Sequence, residues 1–160
     1  MKKLITLTII AIAIILVIFL IAKPKTASIE QISETNNSII TVDRDMHDFG
    51  DIDIFSGKVS TEFTVTNTGD QETIILSAIT SCGCTEGEIN GMNFGMHSGL
   101  DSPVVIPAGE TQIVTAIYDP LAHGPNGTGQ ITRQLFLKTN STETPDLEFR
   151  VSANVTKESE

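Results

Sequence analysis

Between Lys58 and Thr66 every second residue is a core candidate: Val59, Thr61, Phe63 and Val65 alternate with Ser60, Glu62, Thr64 and Thr66. Neighbouring side chains of a β-strand point to opposite sides, so this order makes one buried face and one wet face. A helix cannot use it, because a period of two scatters apolar positions around a 3.6-residue turn. The β-type pattern continues along the chain. Ile39-Ile40-Thr41-Val42 precedes it, and Glu72 to Thr80 follows with Ile74, Ile75, Leu76 and Ile79. Val104-Val105-Ile106, Thr111 to Tyr118, Ile131 to Thr139 and Leu147 to Val155 complete the set. Turn-forming residues separate these runs, as in Asn67-Thr68-Gly69-Asp70 and Pro107-Ala108-Gly109. Two stretches read as irregular: an acidic, turn-rich segment from Asp43 to Asp53, and a long loop from Glu86 to Ser102 with Gly87, Gly91, Gly95 and Gly99. No segment carries a helical apolar stripe. The sequence therefore predicts an all-β domain over residues 39–156, an Ig-like antiparallel β-sandwich of about seven strands, with a tail at 157–160.

A different pattern precedes the domain. Leu4 to Ala22 contains no charge, no Pro and no Gly, and as a helix it would span about 30 Å, the thickness of a bilayer core. A cleaved secretory signal would have a shorter apolar stretch and a small-residue cleavage site, whereas Lys23-Pro24-Lys25 follows here. Residues 1–25 are expected to form an uncleaved signal anchor, one N-terminal transmembrane helix with the basic tip in the cytoplasm. Residues 26–38, rich in Ser, Thr, Glu and Asn, read as a polar linker.

Charge narrows the function classes. All 20 acidic residues lie beyond Thr26, against Arg44, Lys58, Arg133, Lys138, Arg150 and Lys157, so this part carries −14. Such a surface repels phosphate backbones and favours cationic partners or metal ions, which argues against nucleic acid. With no Trp and one Tyr, the chain also lacks stacking platforms for bases. The aspartates at 43, 45, 48, 51 and 53 invite a calcium reading, but an EF-type loop begun at Asp43 would need Gly where Asp48 stands and Glu where Ile54 stands. No nucleophile elbow, phosphate loop or His-Glu-x-x-His occurs, so no catalytic residue is assigned and no enzyme is expected.

The only cysteines are Cys82 and Cys84, at the end of a predicted strand. Fully extended, their α-carbons would stand nearly 7 Å apart, beyond comfortable disulfide reach, but Gly83 lets the chain bend. A local disulfide, an inert thiol pair, a redox pair and a metal pair all fit this spacing. Met92, Met96 and His97 follow in the glycine-rich stretch, and thiolate, thioether and imidazole together select Cu(I), then zinc. The candidate metal set is Cys82, Cys84, Met92, Met96 and His97, with His47 and His123 able to join if their loops share that end of the sandwich.

Several of these pieces occur together in a fixed order. His47-Asp48-Phe49-Gly50, Gly57, Phe63-Thr64-Val65-Thr66-Asn67-Thr68-Gly69, Ser81-Cys82-Gly83-Cys84-Thr85, Ile106-Pro107-Ala108-Gly109 and Thr139-Asn140 follow one another between Val42 and Val155. This order resembles the bacterial family called domain of unknown function 1573, related in fold to Hydin-like (ASH) and major-sperm-protein Ig domains. The resemblance implies an Ig-like sandwich, exported or membrane-attached, without an assigned activity. The expected protein is a single-pass protein of the bacterial cell membrane with its C-terminal domain extracytoplasmic. It would serve as a noncatalytic structural or protein-interaction module whose partner is a protein. It would need no cofactor, unless the cysteine region holds copper or zinc, and a thiol-redox accessory role is the third reading.

Overall fold

The computed structural model describes residues 37–157, which form ten strands in two sheets. In chain order they are β1 (Ile40–Val42), β2 (Met46–Asp53), β3 (Val59–Asn67), β4 (Thr73–Thr80), β5 (Thr85–Ile89), β6 (Met92–Phe94), β7 (Val104–Ile106), β8 (Thr111–Tyr118), β9 (Gly129–Thr139) and β10 (Asp146–Thr156). One sheet has the order β1-β3-β8-β5-β6, the other β2-β10-β9-β4-β7. Among the described residues there is no helix long and apolar enough to cross a membrane. The Leu4–Ala22 run and nearly all of the linker lie outside the described residues.

The core is the set of inward side chains that strand alternation selects. Phe63 and Val65 of β3 are fully buried, while Ser60 and Glu62 are exposed. They meet Val114 and Ala116 of β8 and, from the other sheet, Ile75, Leu135, Leu137, Phe149 and Val151. The Phe63 and Phe149 rings stack across the sandwich with centroids 4.8 Å apart. Each such aromatic side chain removes well over 100 Å² of surface from water, and this burial is what holds the two sheets together.

The strand count exceeds the expected seven because both stretches read as irregular contain strands. The acidic segment is largely β2, and its pairing with β10 is parallel, so the sandwich is mixed rather than purely antiparallel. Its aspartates face outwards and serve the ladder. Asp48 accepts from the Gly50 N–H at 3.1 Å and the Ser152 hydroxyl at 3.0 Å, and Asp51 accepts from the Asn154 amide at 2.7 Å. Those donors, the Gly50 N–H first, hold the Asp48 carboxyl below its ordinary value. At Gly50 (φ +69°) the register shifts, so Phe49 and Gly50 together oppose Ala153. That bulge aims Phe49 at the core, and glycine accepts the positive φ without strain.

The glycine-rich stretch opens with a second unexpected element, the β5–β6 hairpin. Ile89 pairs with Met92, leaving Asn90 (φ 52°) and Gly91 (φ 74°) as its two-residue turn. Asn-Gly is the strongest short hairpin signal, because both residues tolerate the left-handed conformation a primed turn requires. Opposite Phe94 sits Gly87, and a β-carbon there would run into the ring carbons of Phe94, itself 1 % exposed. Gly87→Ala should therefore push Phe94 off its seat and destabilise the domain by about 2 kcal/mol, read as a lower thermal unfolding midpoint. An unchanged midpoint would show that Phe94 does not need that space.

β4 departs from the expected pattern in another way. Its Ile75 and Ala78 are buried, but Leu76 and Ile79 are nearly half exposed. A register irregularity between Ile75 and Ser77 changes which side chains face inwards.

Candidate functional site

β4 ends in one sheet and β5 begins in the other, and Ser81 to Cys84 carry the chain between them. Hydrogen bonds hold this corner. The Thr80 hydroxyl lies 3.1 Å from the Cys82 carbonyl and 2.9 Å from that of Thr85. The Thr85 N–H donates to the Cys82 carbonyl at 3.1 Å. Ser81 is tied to β9 twice, its N–H donating to the Gln134 carbonyl and its hydroxyl accepting from the Gln134 N–H, both at 2.9 Å. The Asp119 N–H donates to the Cys84 carbonyl at 2.9 Å.

Within this corner Cys82 and Cys84 are joined by a disulfide, their α-carbons 5.2 Å apart. The bend at Gly83 shortens the extended distance enough for the bond to close. A bridge across one intervening residue removes little freedom from the unfolded chain, roughly 2 kcal/mol on chain-entropy grounds. The bonds of Thr80, Ser81, Thr85 and Asp119 hold the corner independently of the bridge.

The two sulfurs have unequal surroundings. Cys84 is 3 % exposed and packs with Ile54, Tyr118 and Val155. The Arg133 Nε–H donates to its Sγ at 3.0 Å. Cys82 is partly open to solvent. Its Sγ accepts the Cys84 N–H at 3.2 Å and stands 3.4 Å from Nε2 of His123, an exposed residue of the β8–β9 connection. Burial pushes the nearby Tyr118 phenol above its ordinary value, while the Arg133 charge pulls the other way, so at neutral pH the phenol stays protonated.

The ligating atoms of Cys82, Cys84 and His123 lie within 4.8 Å of one another. Two sulfurs and an imidazole make a borderline-soft donor set once the cysteines are reduced. His123 thus joins the cysteines, as its loop position allowed. Met92, Met96 and His97 are placed differently. Met92 starts β6 opposite Ile89, at the far end of β5 from the cysteines, where it packs on the main core and its Sδ accepts from the Ser102 hydroxyl at 3.4 Å. Met96 is 47 % exposed, and His97 is exposed outside the cluster. His47 lies on β2, its ring against Phe49. The sequence reading passed over Arg133, although its signal was present: Arg133 shares the parity of Leu135 and Leu137, which puts a cation on the buried face of β9.

A protein of unknown function from Porphyromonas gingivalis W83 is similar in structure, with a TM-score of 0.59 at 12 % identity over 79 % of this chain and 51 % of that one. This chain therefore spans about half the length of that protein. The ASH/PapD-like domain 7 of human CEP192 matches with a TM-score of 0.49 at 10 % identity, covering 86 % of this chain and 99 % of that domain. Comparison with curated proteins finds no match. The sequence of residues 40–155 matches the family described as protein of unknown function (DUF1573), a span that takes in the β2 bulge, the Asn-Thr-Gly turn and the Cys-Gly-Cys corner. This chain belongs to that family.

Proposed function

We propose that this protein is a membrane-anchored, extracytoplasmic Ig-like domain that acts as a structural or protein-interaction module. The observation that supports this reading is the inequality of its two outer faces. On the β3–β8–β5 face the outward side chains are mainly polar: Glu62, Thr111 and Glu86 are exposed and Thr64 and Glu88 half-buried, with Ile113 exposed and Ile117 half-buried among them. On the other sheet Leu76, Ile79 and Val105 are each nearly half exposed. Ile79 pairs across the ladder with Phe136, and the two border a groove of about 470 Å³ that continues to Leu147. Apolar groups clustered on an otherwise acidic domain are a feature of surfaces that meet a partner. With the part beyond Thr26 at −14, the partner that fits is a protein surface with an apolar centre and a basic rim.

The test places a photoreactive residue at position 79, or at position 62 as control, in the full chain in its host membrane. One discrete protein adduct at 79, absent at 62 and lost on adding Phe136→Asp, is the expected result. Equal labelling at both positions, or none at 79, would overturn the reading.

A further inference from the structure

The surroundings of the Cys82–Cys84 bridge are those of a bond arranged to open. We infer that this corner is a thiol–disulfide exchange site, at which Cys82 is attacked by a cysteine of a partner protein and Cys84 is the leaving group. The inference concerns the end of the sandwich and stands independently of the apolar face.

Three observations carry it. The first is access: exchange needs an attacking thiolate to reach one sulfur, and only Cys82 is partly open, since Cys84 is sealed beneath Ile54, Tyr118 and Val155. The second is the leaving group. The sulfur displaced from an attack on Cys82 is that of Cys84, and the Arg133 Nε–H already points at it from 3.0 Å. A cation beside a departing thiolate makes it leave faster. The third is the other end of the bond. His123 Nε2 lies 3.4 Å from Cys82 Sγ, placed to take a proton from an incoming thiol or from Cys82 itself. The Cys84 N–H, 3.2 Å from the same sulfur, stabilises a thiolate there.

A thiolate of a partner's cysteine pair attacks Cys82 Sγ, forming a mixed disulfide, and the Cys82–Cys84 bond breaks with its electron pair leaving on Cys84. The partner's second thiol then attacks its own sulfur in the mixed disulfide and releases Cys82 as a thiolate. Two electrons and two protons pass from the partner's dithiol to this pair, and the partner leaves oxidised. Run backwards, the same steps reduce a partner's disulfide. The corner tolerates both states because the bonds through Thr80, Ser81, Thr85 and Asp119 end on backbone and hydroxyl groups, whereas the Cys84 N–H and Arg133 bonds end on the sulfurs.

The test uses the purified full chain, with glutathione and dithiothreitol as probes and mass spectrometry as the readout. Cys84→Ser is expected to collect one glutathione, on Cys82, from oxidised glutathione. Cys82→Ser should collect it on Cys84 at least about tenfold more slowly. Reduction of the native bridge by dithiothreitol should be about tenfold slower in Arg133→Met, with Arg133→Lys recovering part of the rate and leaving the thermal unfolding midpoint unchanged. A native bridge that dithiothreitol does not open without unfolding the protein would overturn the inference. So would equal reduction rates in the wild type and Arg133→Met, or equal labelling of the two cysteines. Uptake of one Zn(II) per reduced chain that blocks all reaction with glutathione would also overturn it, in favour of a metal centre at Cys82, Cys84 and His123.

Discussion

Phe63→Asp is expected to leave no folded, soluble protein. The Phe63 side chain is fully buried, stacked on Phe149, and its replacement acts twice. Losing the ring opens a cavity between the sheets, at about 3–5 kcal/mol for a large aromatic. The new carboxylate then sits among Val65, Val114 and Leu135 with no donor in the core, a further several kcal/mol. Arg44, whose guanidinium lies 5.3 Å from the ring centroid, does not rescue it, because that group already serves Asp43, the Thr61 hydroxyl and the Glu62 carbonyl. The two losses together reach the whole stability of a typical domain, about 5–15 kcal/mol. Phe63→Leu is the control: it keeps an apolar group in place and should remain folded, with a loss of about 1.5 kcal/mol. Cooperative unfolding of Phe63→Asp near the wild-type temperature would mean that β3 does not present this face to the core.

The same strand shows why some elements could be read from sequence and others could not. β3 is an interior strand of its sheet, flanked by β1 and β8, so burial on one side and water on the other imprint a clean period of two. β2 lies at an edge, and its outward positions are aspartates that bond to Ser152 and Asn154. Its acidic composition imitates a turn, and the bulge at Gly50 breaks the alternation midway. β5 and β6 were hidden by glycines whose role is packing and turning: Gly87 makes room for Phe94, and Gly91 closes the hairpin. The Asn90-Gly91 pair carried the signal for that hairpin. At the cysteine corner, Cys82 and Cys84 announce themselves by type. Arg133 and His123 lie 49 and 41 residues away from the sulfurs they touch, a distance that only the sheet topology closes.

Asn67→Ala should be the most damaging truncation of a polar side chain in the domain. Asn67 ends β3 and is fully buried, with every polar atom of its amide used. Its Nδ2 donates to the Gln71 carbonyl at 2.7 Å and to the Ile106 carbonyl at 2.9 Å, and its Oδ1 accepts the Gly69 N–H at 3.1 Å. The side chain thus pins the Asn67-Thr68-Gly69 turn and reaches across to β7 in the opposite sheet. Backbone bonds complete the clamp: the Asn67 N–H donates to the Glu110 carbonyl at 3.0 Å and the Gly109 N–H to the Asn67 carbonyl at 2.8 Å. Two segments far apart in sequence, the Asn-Thr-Gly turn and Ile106-Pro107-Ala108-Gly109, are therefore one structural unit. Alanine strands the buried Ile106 carbonyl and removes the partner of the half-buried Gln71 carbonyl and Gly69 N–H, which corresponds to about 3 kcal/mol and a midpoint lower by roughly 10–15 °C. Asn67→Asp should be worse than alanine, although nearly the same shape. It still accepts from Gly69, but it replaces the donor with a carboxylate oxygen aimed at two carbonyl oxygens. The expected order of midpoints is wild type, then Ala, then Asp, and an Asp variant as stable as the wild type would show that the amide does not bridge the sheets.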